Sequence, residues 1–266
     1  MDVAGKLVIV TGASQGIGAA TSRELARRGA KVVLLARTAA KLDEVAHSIR
    51  ASGHVAHTYP CDLSDPAAVT AVAARITAEL GTPDVIINNA GAGRWLAIDE
   101  TPPEEAVTMM HAPYFAAFFI TRAFIEAMIA RGSGVIVNVQ SPMSRVVAGG
   151  CLGYAACRWA LRGFTEGLRA DLRGTGIAVC EALLGEVGSD YWANNPGARE
   201  RVPKIARWLL PDLDNDQAAR AVARTIASER KLFMRPRMLG VLMVLLWAFP
   251  PIVRWLTVST GWQRGR

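Results

Sequence analysis

Short β-branched apolar runs alternate with longer segments of helical periodicity along most of this chain. Lys6–Val10, Lys31–Leu35, Val55–Pro60, Asp84–Asn88, Val135–Val139 and Ala178–Leu183 read as strands bounded by polar or glycine-containing turns. Ile17–Arg28, closed by Gly29, reads as a helix, as do Lys41–Ser52, Pro103–Arg131, Tyr154–Arg173 and Asn215–Arg230. Such alternation predicts an α/β fold, a single domain built on a doubly wound parallel sheet. Val135–Val139 is apolar apart from Asn138, the pattern of a central parallel strand covered on both faces. Lys231–Met234 reads as a last edge strand, so the domain occupies about residues 1–230, and residues 231–266 form an apolar C-terminal extension.

The turn after the first strand reads TGASQGIG over residues 11–18. Glycines at Gly12, Gly16 and Gly18 let the backbone turn sharply and approach a pyrophosphate, and the helix that follows presents unpaired N–H groups to negative charge. Strand, glycine turn and helix in succession are the dinucleotide-binding opening of a Rossmann-like domain. After the second strand an acidic residue would accept hydrogen bonds from a ribose 2′-hydroxyl, and none is present. Arg37 stands there instead, with Ser14 and Thr38 as neutral neighbours suited to a 2′-phosphate. NADP(H) is therefore preferred over NAD(H); the competing reading makes Arg37 a solvated loop residue.

Residues 141–158, SPMSRVVAGGCLGYAACR, place a hydroxyl at Ser141, a phenol at Tyr154 and a fixed cation at Arg158. The last two lie one helical turn apart and project from one helix face. Together with TGASQGIG and with NNAG at 88–91, this segment resembles the short-chain dehydrogenase/reductase family over about residues 5–230. The resemblance implies that Ser141 polarises a substrate carbonyl and that Tyr154 gives or takes the proton, the cation favouring its phenolate. It also assigns Ile17, Asp62, Leu63, Asn89, Ala90 and Gly91 to the cofactor, along with Val187 and Ser189, which follow a Leu184 standing where the family has Pro. Asp62 has a second reading as a cap of the next helix, with Ser64 or Asp65.

Two positions depart from the family pattern. Arg158 replaces the usual Lys; it keeps the charge, and its fork suits the nicotinamide-ribose hydroxyls, but it cannot give up a proton. Pro113 falls where an Asn usually holds a relay water at a helix kink, and His111 lies two residues earlier. The expected activity is NADPH-dependent interconversion of a ketone or aldehyde and an alcohol. A redox-inactive NADP-binding sensor or scaffold is the first alternative, and a membrane-surface interaction protein the second. Residues 186–214 carry no strand pattern and in the family close over substrate. There Tyr191, Trp192, Ile205, Trp208 and Leu209 suggest a lipophilic substrate, or else anchor the loop to the core. The resemblance also implies a homodimer or homotetramer through the helix bearing Trp159 and Phe164 and its predecessor; the competing reading makes these residues part of the core.

Composition narrows the rest. Among 266 residues, 51% are hydrophobic and 20% charged, enough apolar surface for a substantial core. The net charge of +7 is spread along the chain without a nucleic-acid motif, so no nucleic-acid partner is expected. Cys61, Cys151, Cys157 and Cys180 form no CxxC pair, which argues against a metal site or a disulfide framework. No charged-then-apolar leader is visible at the N-terminus, and the expected location is cytoplasmic, or peripheral to a membrane. Met238–Val253 is uncharged and apolar, broken only by Pro250-Pro251, and followed by Arg254, Trp255, Trp262, Arg264 and Arg266. Two readings of residues 238–262 stay open: an interfacial membrane contact, or a tail folded over the substrate pocket or into a subunit interface.

Overall fold

The computed structural model describes residues 1–264 apart from Ala92, Ser189 and Asn194. Seven strands form one parallel sheet: β1 Leu7–Thr11, β2 Lys31–Ala36, β3 Ala56–Pro60, β4 Val85–Asn88, β5 Gly134–Gln140, β6 Ile177–Leu184 and β7 Leu232–Arg235. Their order is β3-β2-β1-β4-β5-β6-β7. The chain winds outward from β1 to β3 and then crosses to β4, so the strand order reverses between β1 and β4. A crevice opens at such a switch point beyond the carboxyl ends of the strands, where ligands bind in doubly wound sheets.

Alternate strand residues serve opposite layers. Val8, Val10, Val32 and Leu34 pack under α1 (Gly16–Arg27), α2 (Ala39–Ala51) and, beyond β6, α9 (Asn215–Ser228). Ile9, Val33, Leu35 and Ile86 pack under α3 (Pro66–Leu80) and α5 (Ala116–Arg131) on the other face, where α6 (Leu152–Asp171) completes the layer. Full burial of a side chain the size of Leu or Ile contributes roughly 1.5–3 kcal/mol, so two covered faces explain why these strands are apolar throughout. The polar exceptions are joined to one another, with Asn88 Oδ1 alone in this group left without a partner among the described residues. Asn88 Nδ2 donates to Asn138 Oδ1 at 2.8 Å and to Thr121 Oγ1 at 3.2 Å, and Asn138 Nδ2 donates to Thr165 Oγ1 at 2.8 Å. This buried network ties β4 and β5 to α5 and α6 where an unpartnered amide would be costly.

The helix expected over Pro103–Arg131 is broken. α4 (Pro103–Met110) passes into a π-turn over His111–Phe115, in which Ala112 adopts φ −140°, ψ 117°, and α5 follows. Pro113 cannot donate to the carbonyl one turn back, and the ladder yields there. By length and composition this stretch could cross a membrane; instead Ile120, Phe124 and Met128 pack onto the sheet.

Residues 186–214 hang from a stem in which Val187 and Leu213 form a parallel bridge, with Gly188 N donating to Leu213 O at 2.8 Å and Leu213 N to Glu186 O at 2.9 Å. Short helices α7 (Asp190–Ala193) and α8 (Lys204–Leu209) fill the loop. The C-terminal extension is helical. α10 (Arg237–Ala248) and α11 (Pro250–Thr260) meet at 119°, Leu239 is buried with Leu183 and Leu210, and α11 lies against α8. Beyond α11, Trp262 covers Gly149 and Gly150 beneath the Arg201 guanidinium, which sits 4.8 Å from the indole centroid. The inner face of the extension is thus folded over the loop.

Candidate functional site

A cleft of about 860 Å³ runs over the carboxyl ends of the strands from Arg37 and Lys41 to Ala206 and Leu210. Its floor at one end is the glycine turn. Gly12 sits at φ +66°, and a Cβ there would lie 2.9 Å from Ala90 Cα. Gly18 does not line the cleft: a Cβ on it would stand 2.1 Å from Gly12 O, so its place is close packing of α1 on the turn. Gln15 at the N-cap of α1 makes no side-chain cap bond, and no acid occupies the first turn, which leaves amide donors facing the cleft. Ser14, Gly16 and Ile17 join this wall.

Arg37 and Thr38 lie on the rim next to Lys41, whose Nζ donates to Gln15 Oε1 at 3.3 Å. Lys41 is a second cation there, and its spacing three residues after Thr38 on a helix was the available signal for it. Asp62 and Leu63 face the same region. Hydrogen bonds from the Ser64 amide and hydroxyl hold the Asp62 carboxyl below its ordinary pKa, and the cap of α3 falls to Asp65, which accepts from Ala67 N at 2.9 Å.

Thr11, at the end of β1, fixes the NNAG segment. Its Oγ1 accepts from Asn89 N and Ala90 N, both at 3.0 Å, and Asn89 Nδ2 donates to Thr11 O at 3.0 Å. Asn89, Ala90 and Gly91 are thereby held along the cleft wall. Nothing in the sequence pattern beyond its place before Gly12 marks Thr11 for this.

Ser141, Tyr154 and Arg158 converge on the same cleft from β5 and α6. Ser141 caps the short turn Pro142–Ser144, its Oγ accepting from Met143 N at 3.3 Å. Arg145 anchors that turn through a buried bidentate pair with Glu181 of β6, at 2.6 and 2.9 Å. Tyr154 is 8% exposed and surrounded by rings: Trp95 stacks on it at 5.8 Å between centroids, Tyr191 lies at 6.1 Å, and Trp192 meets Tyr191 edge-on at 5.2 Å. Arg158 stands 5.2 Å from the Tyr154 ring centroid, and its Nη1 donates to Val139 O at 3.0 Å. Burial opposes the charge, but Tyr154, Cys157 and Tyr191 outweigh burial and raise the guanidinium pKa above its ordinary value. Nε of Arg158 is buried without a hydrogen-bond partner among the described residues. A donor left this way beside a glycine cradle fits a ribose hydroxyl.

His111 and Ala112 of the π-turn line the cleft, while Pro113 is buried behind them. Leu184, Glu186 and Val187 line the cleft where β6 ends; Ser189 lies outside the described residues. Past Tyr154 the wall becomes apolar, formed by Trp95, Met143, Trp192, Val202, Ala206 and Leu210. Of the five loop residues singled out in the sequence, Tyr191 and Trp192 line the cleft, whereas Ile205, Trp208 and Leu209 do not.

Fold and cleft together define a dinucleotide-binding protein of the doubly wound class. A family model for short chain dehydrogenase matches residues 6–199. Gluconate 5-dehydrogenase of Gluconobacter oxydans is 36% identical over 177 residues, covering 66% of this chain and 69% of that one. An uncharacterized oxidoreductase of Mycobacterium tuberculosis is 39% identical over 174 residues, covering 64% of this chain but only 51% of its own length, so the matching part spans about half of that relative. Among solved structures, a gluconate 5-dehydrogenase from Burkholderia cenocepacia in complex with NADP and tartrate superposes with a TM-score of 0.77 at 26% identity, over 86% of this chain and 92% of that one. This chain belongs to the short-chain dehydrogenase/reductase family of NAD(P)-dependent oxidoreductases.

Proposed function

We propose that the chain interconverts a lipophilic ketone or aldehyde and its alcohol with NADP(H). The observation that carries this reading is the convergence of Ser141, Tyr154 and Arg158 on one cleft that joins the glycine turn to an apolar aromatic pocket. The cofactor, when bound, supplies or accepts the hydride. The turn at Gly12–Ile17, Asp62, Leu63 and Asn89–Gly91 would hold it, with Val187 and, by resemblance, Ser189 near its nicotinamide. In the reductive direction the Tyr154 hydroxyl gives its proton to the carbonyl oxygen, which Ser141 Oγ orients by a hydrogen bond. Arg158 favours the phenolate left behind and offers Nε to the ribose. The surrounding rings exclude water and strengthen both interactions.

Arg37 with Lys41 supports NADP(H) over NAD(H), since two cations at the rim match a 2′-phosphate, and the Burkholderia relative is seen with NADP. Residues 186–214 form the substrate loop, and 231–266 extend it. Exposed Phe118 and Ile129 on α5 and Trp159 on α6 leave an apolar face that suits a homodimer or homotetramer. The engagement of Arg158 with Val139 O favours one second reading, a redox-inactive NADP-binding protein in which the arginine is structural. Turnover of NADPH with a panel of lipophilic carbonyls separates the two. Tyr154→Phe is expected to abolish turnover while leaving NADPH binding intact; full activity in that variant would overturn the catalytic assignment.

A further inference from the structure

The outer face of the C-terminal extension is exposed and apolar. Trp247 is 85% and Trp255 67% exposed, Val244, Phe249 and Ile252 on the same two helices and their junction are exposed as well, and Trp208 on the adjoining α8 is 81% exposed. Their inner neighbours Leu239 and Thr257 are buried, so the face belongs to folded helices and not to a loose tail. Leaving such area to water is unfavourable, and a patch of this kind marks a contact surface.

What covers it is indicated by charge and shape. Residues 231–266 contain Lys231, Arg235, Arg237, Arg254, Arg264 and Arg266 and no acidic residue at all. Arg237 and Arg254 are exposed and form no ion pair among the described residues. A second copy docked by the same face would bring these cations together, whereas an anionic lipid surface neutralises them. α10 has 12 residues and α11 has 11, so each is about 17 Å long against a hydrocarbon core of about 30 Å. With the 119° bend, the pair is shaped to lie within one leaflet rather than to span the bilayer. Indoles beside guanidinium groups suit the headgroup boundary.

We propose that α10, α11 and Trp208 form a monotopic docking face for an anionic phospholipid bilayer. α8 carries Trp208 outward and Ala206 to the cleft wall, so the docked face adjoins the apolar end of the cleft. Passage of a lipophilic substrate from leaflet to cleft rests on the redox reading above; the docking itself does not.

The test is flotation of the full-length protein with phosphatidylcholine vesicles and with mixed phosphatidylcholine–phosphatidylglycerol vesicles. The protein is expected to float with the mixed vesicles, less with neutral ones, and less again at raised salt. The double variant Trp247→Glu/Trp255→Glu, with its fold checked by circular dichroism and thermal unfolding, is expected to reduce the bound fraction about tenfold or more. In the unaltered protein, brominated acyl chains are expected to quench tryptophan emission, a readout that needs no variant. Equal flotation of both forms, or no quenching, would overturn the proposal. So would a wild-type dimer that the double variant converts to monomer without any vesicle binding, which would assign the face to a second copy. Flotation without any carbonyl-dependent NADPH turnover would strike the redox reading alone.

Discussion

Replacing Thr11 by Val tests whether the end of β1 holds the cofactor side of the cleft. The substitution keeps the shape of a side chain that is 1% exposed and removes only its hydroxyl. Thr11 Oγ1 donates to Ile87 O at 3.2 Å and accepts from Asn89 N and Ala90 N. Asn89 N also reaches Ile87 O at 3.1 Å, so those two groups keep a bond to each other, while Ala90 N loses its partner. An orphaned amide costs about 1–3 kcal/mol, and the site is half-buried, so a loss of about 2 kcal/mol is expected. For a chain of this size that lowers Tm by about 4–8 °C. Because Ala90 and Gly91 line the cleft, NADPH affinity is expected to fall with it, and Thr11→Ser, which retains the oxygen, is expected to restore both. Thermal unfolding and a fluorescence titration with NADPH report the two effects. A Val variant as stable and as tightly binding as the wild type, or a Ser variant no better than Val, would refute the reasoning.

Two further outcomes follow from the site and one from an ion pair outside it. Arg37→Ser is expected to weaken NADPH binding about tenfold, the lower end for a charge-assisted bond because Lys41 remains, with NADH binding little changed; equal losses for both would remove Arg37 from 2′-phosphate recognition. Arg158→Lys is expected to keep turnover within about tenfold of the wild type or to raise it, since the charge stays and a donor that can release its proton is restored; absence of turnover in both forms would favour the redox-inactive reading. Glu100 accepts from Arg201 at 2.5 and 2.9 Å and from Ala97 N, and these bonds lower its pKa from 4.5 to about 2. A depressed carboxylate stabilises the fold above its unfolded value and loses that contribution as pH falls through its folded one. The Tm gap between wild type and Glu100→Gln is therefore expected to be constant above about pH 5 and to close towards pH 2; a gap independent of pH would contradict the pairing.

The fold was legible because its signals are local. Apolar runs at Leu7–Thr11 and Gly134–Gln140 announce covered strands, and the glycines between β1 and α1 announce their turn. Pro113 likewise marked a break in its helix, although the backbone departs at Ala112. What stayed hidden depends on distant partners. Arg145 reads as a surface cation until Glu181, a buried strand residue, is placed opposite it. The direction of the C-terminal extension is equally non-local: it turns inward because Gly149 and Gly150 admit Trp262 and because Asp99 pairs with Arg264 at 2.6 Å. Periodicity reports that a helix has an apolar face, and only packing reports which of two faces is covered.

The stem of residues 186–214 sets how freely the loop can vary in length. Val187 and Leu213 hold both ends of residues 188–212 at one point on the domain, and Glu186, Arg199 and Asp212 clasp the same point with charge. A chain whose ends are fixed costs only about 0.6 kcal/mol more to close when its length doubles. The sheet is therefore largely indifferent to the length of what hangs from it, and insertions, deletions or exchange within residues 188–212 can rewrite the cleft's outer wall while the strands and the glycine turn stay as they are. The clasp of Glu186, Val187, Arg199, Asp212 and Leu213 thus separates the scaffold from the part of the chain that can change length freely.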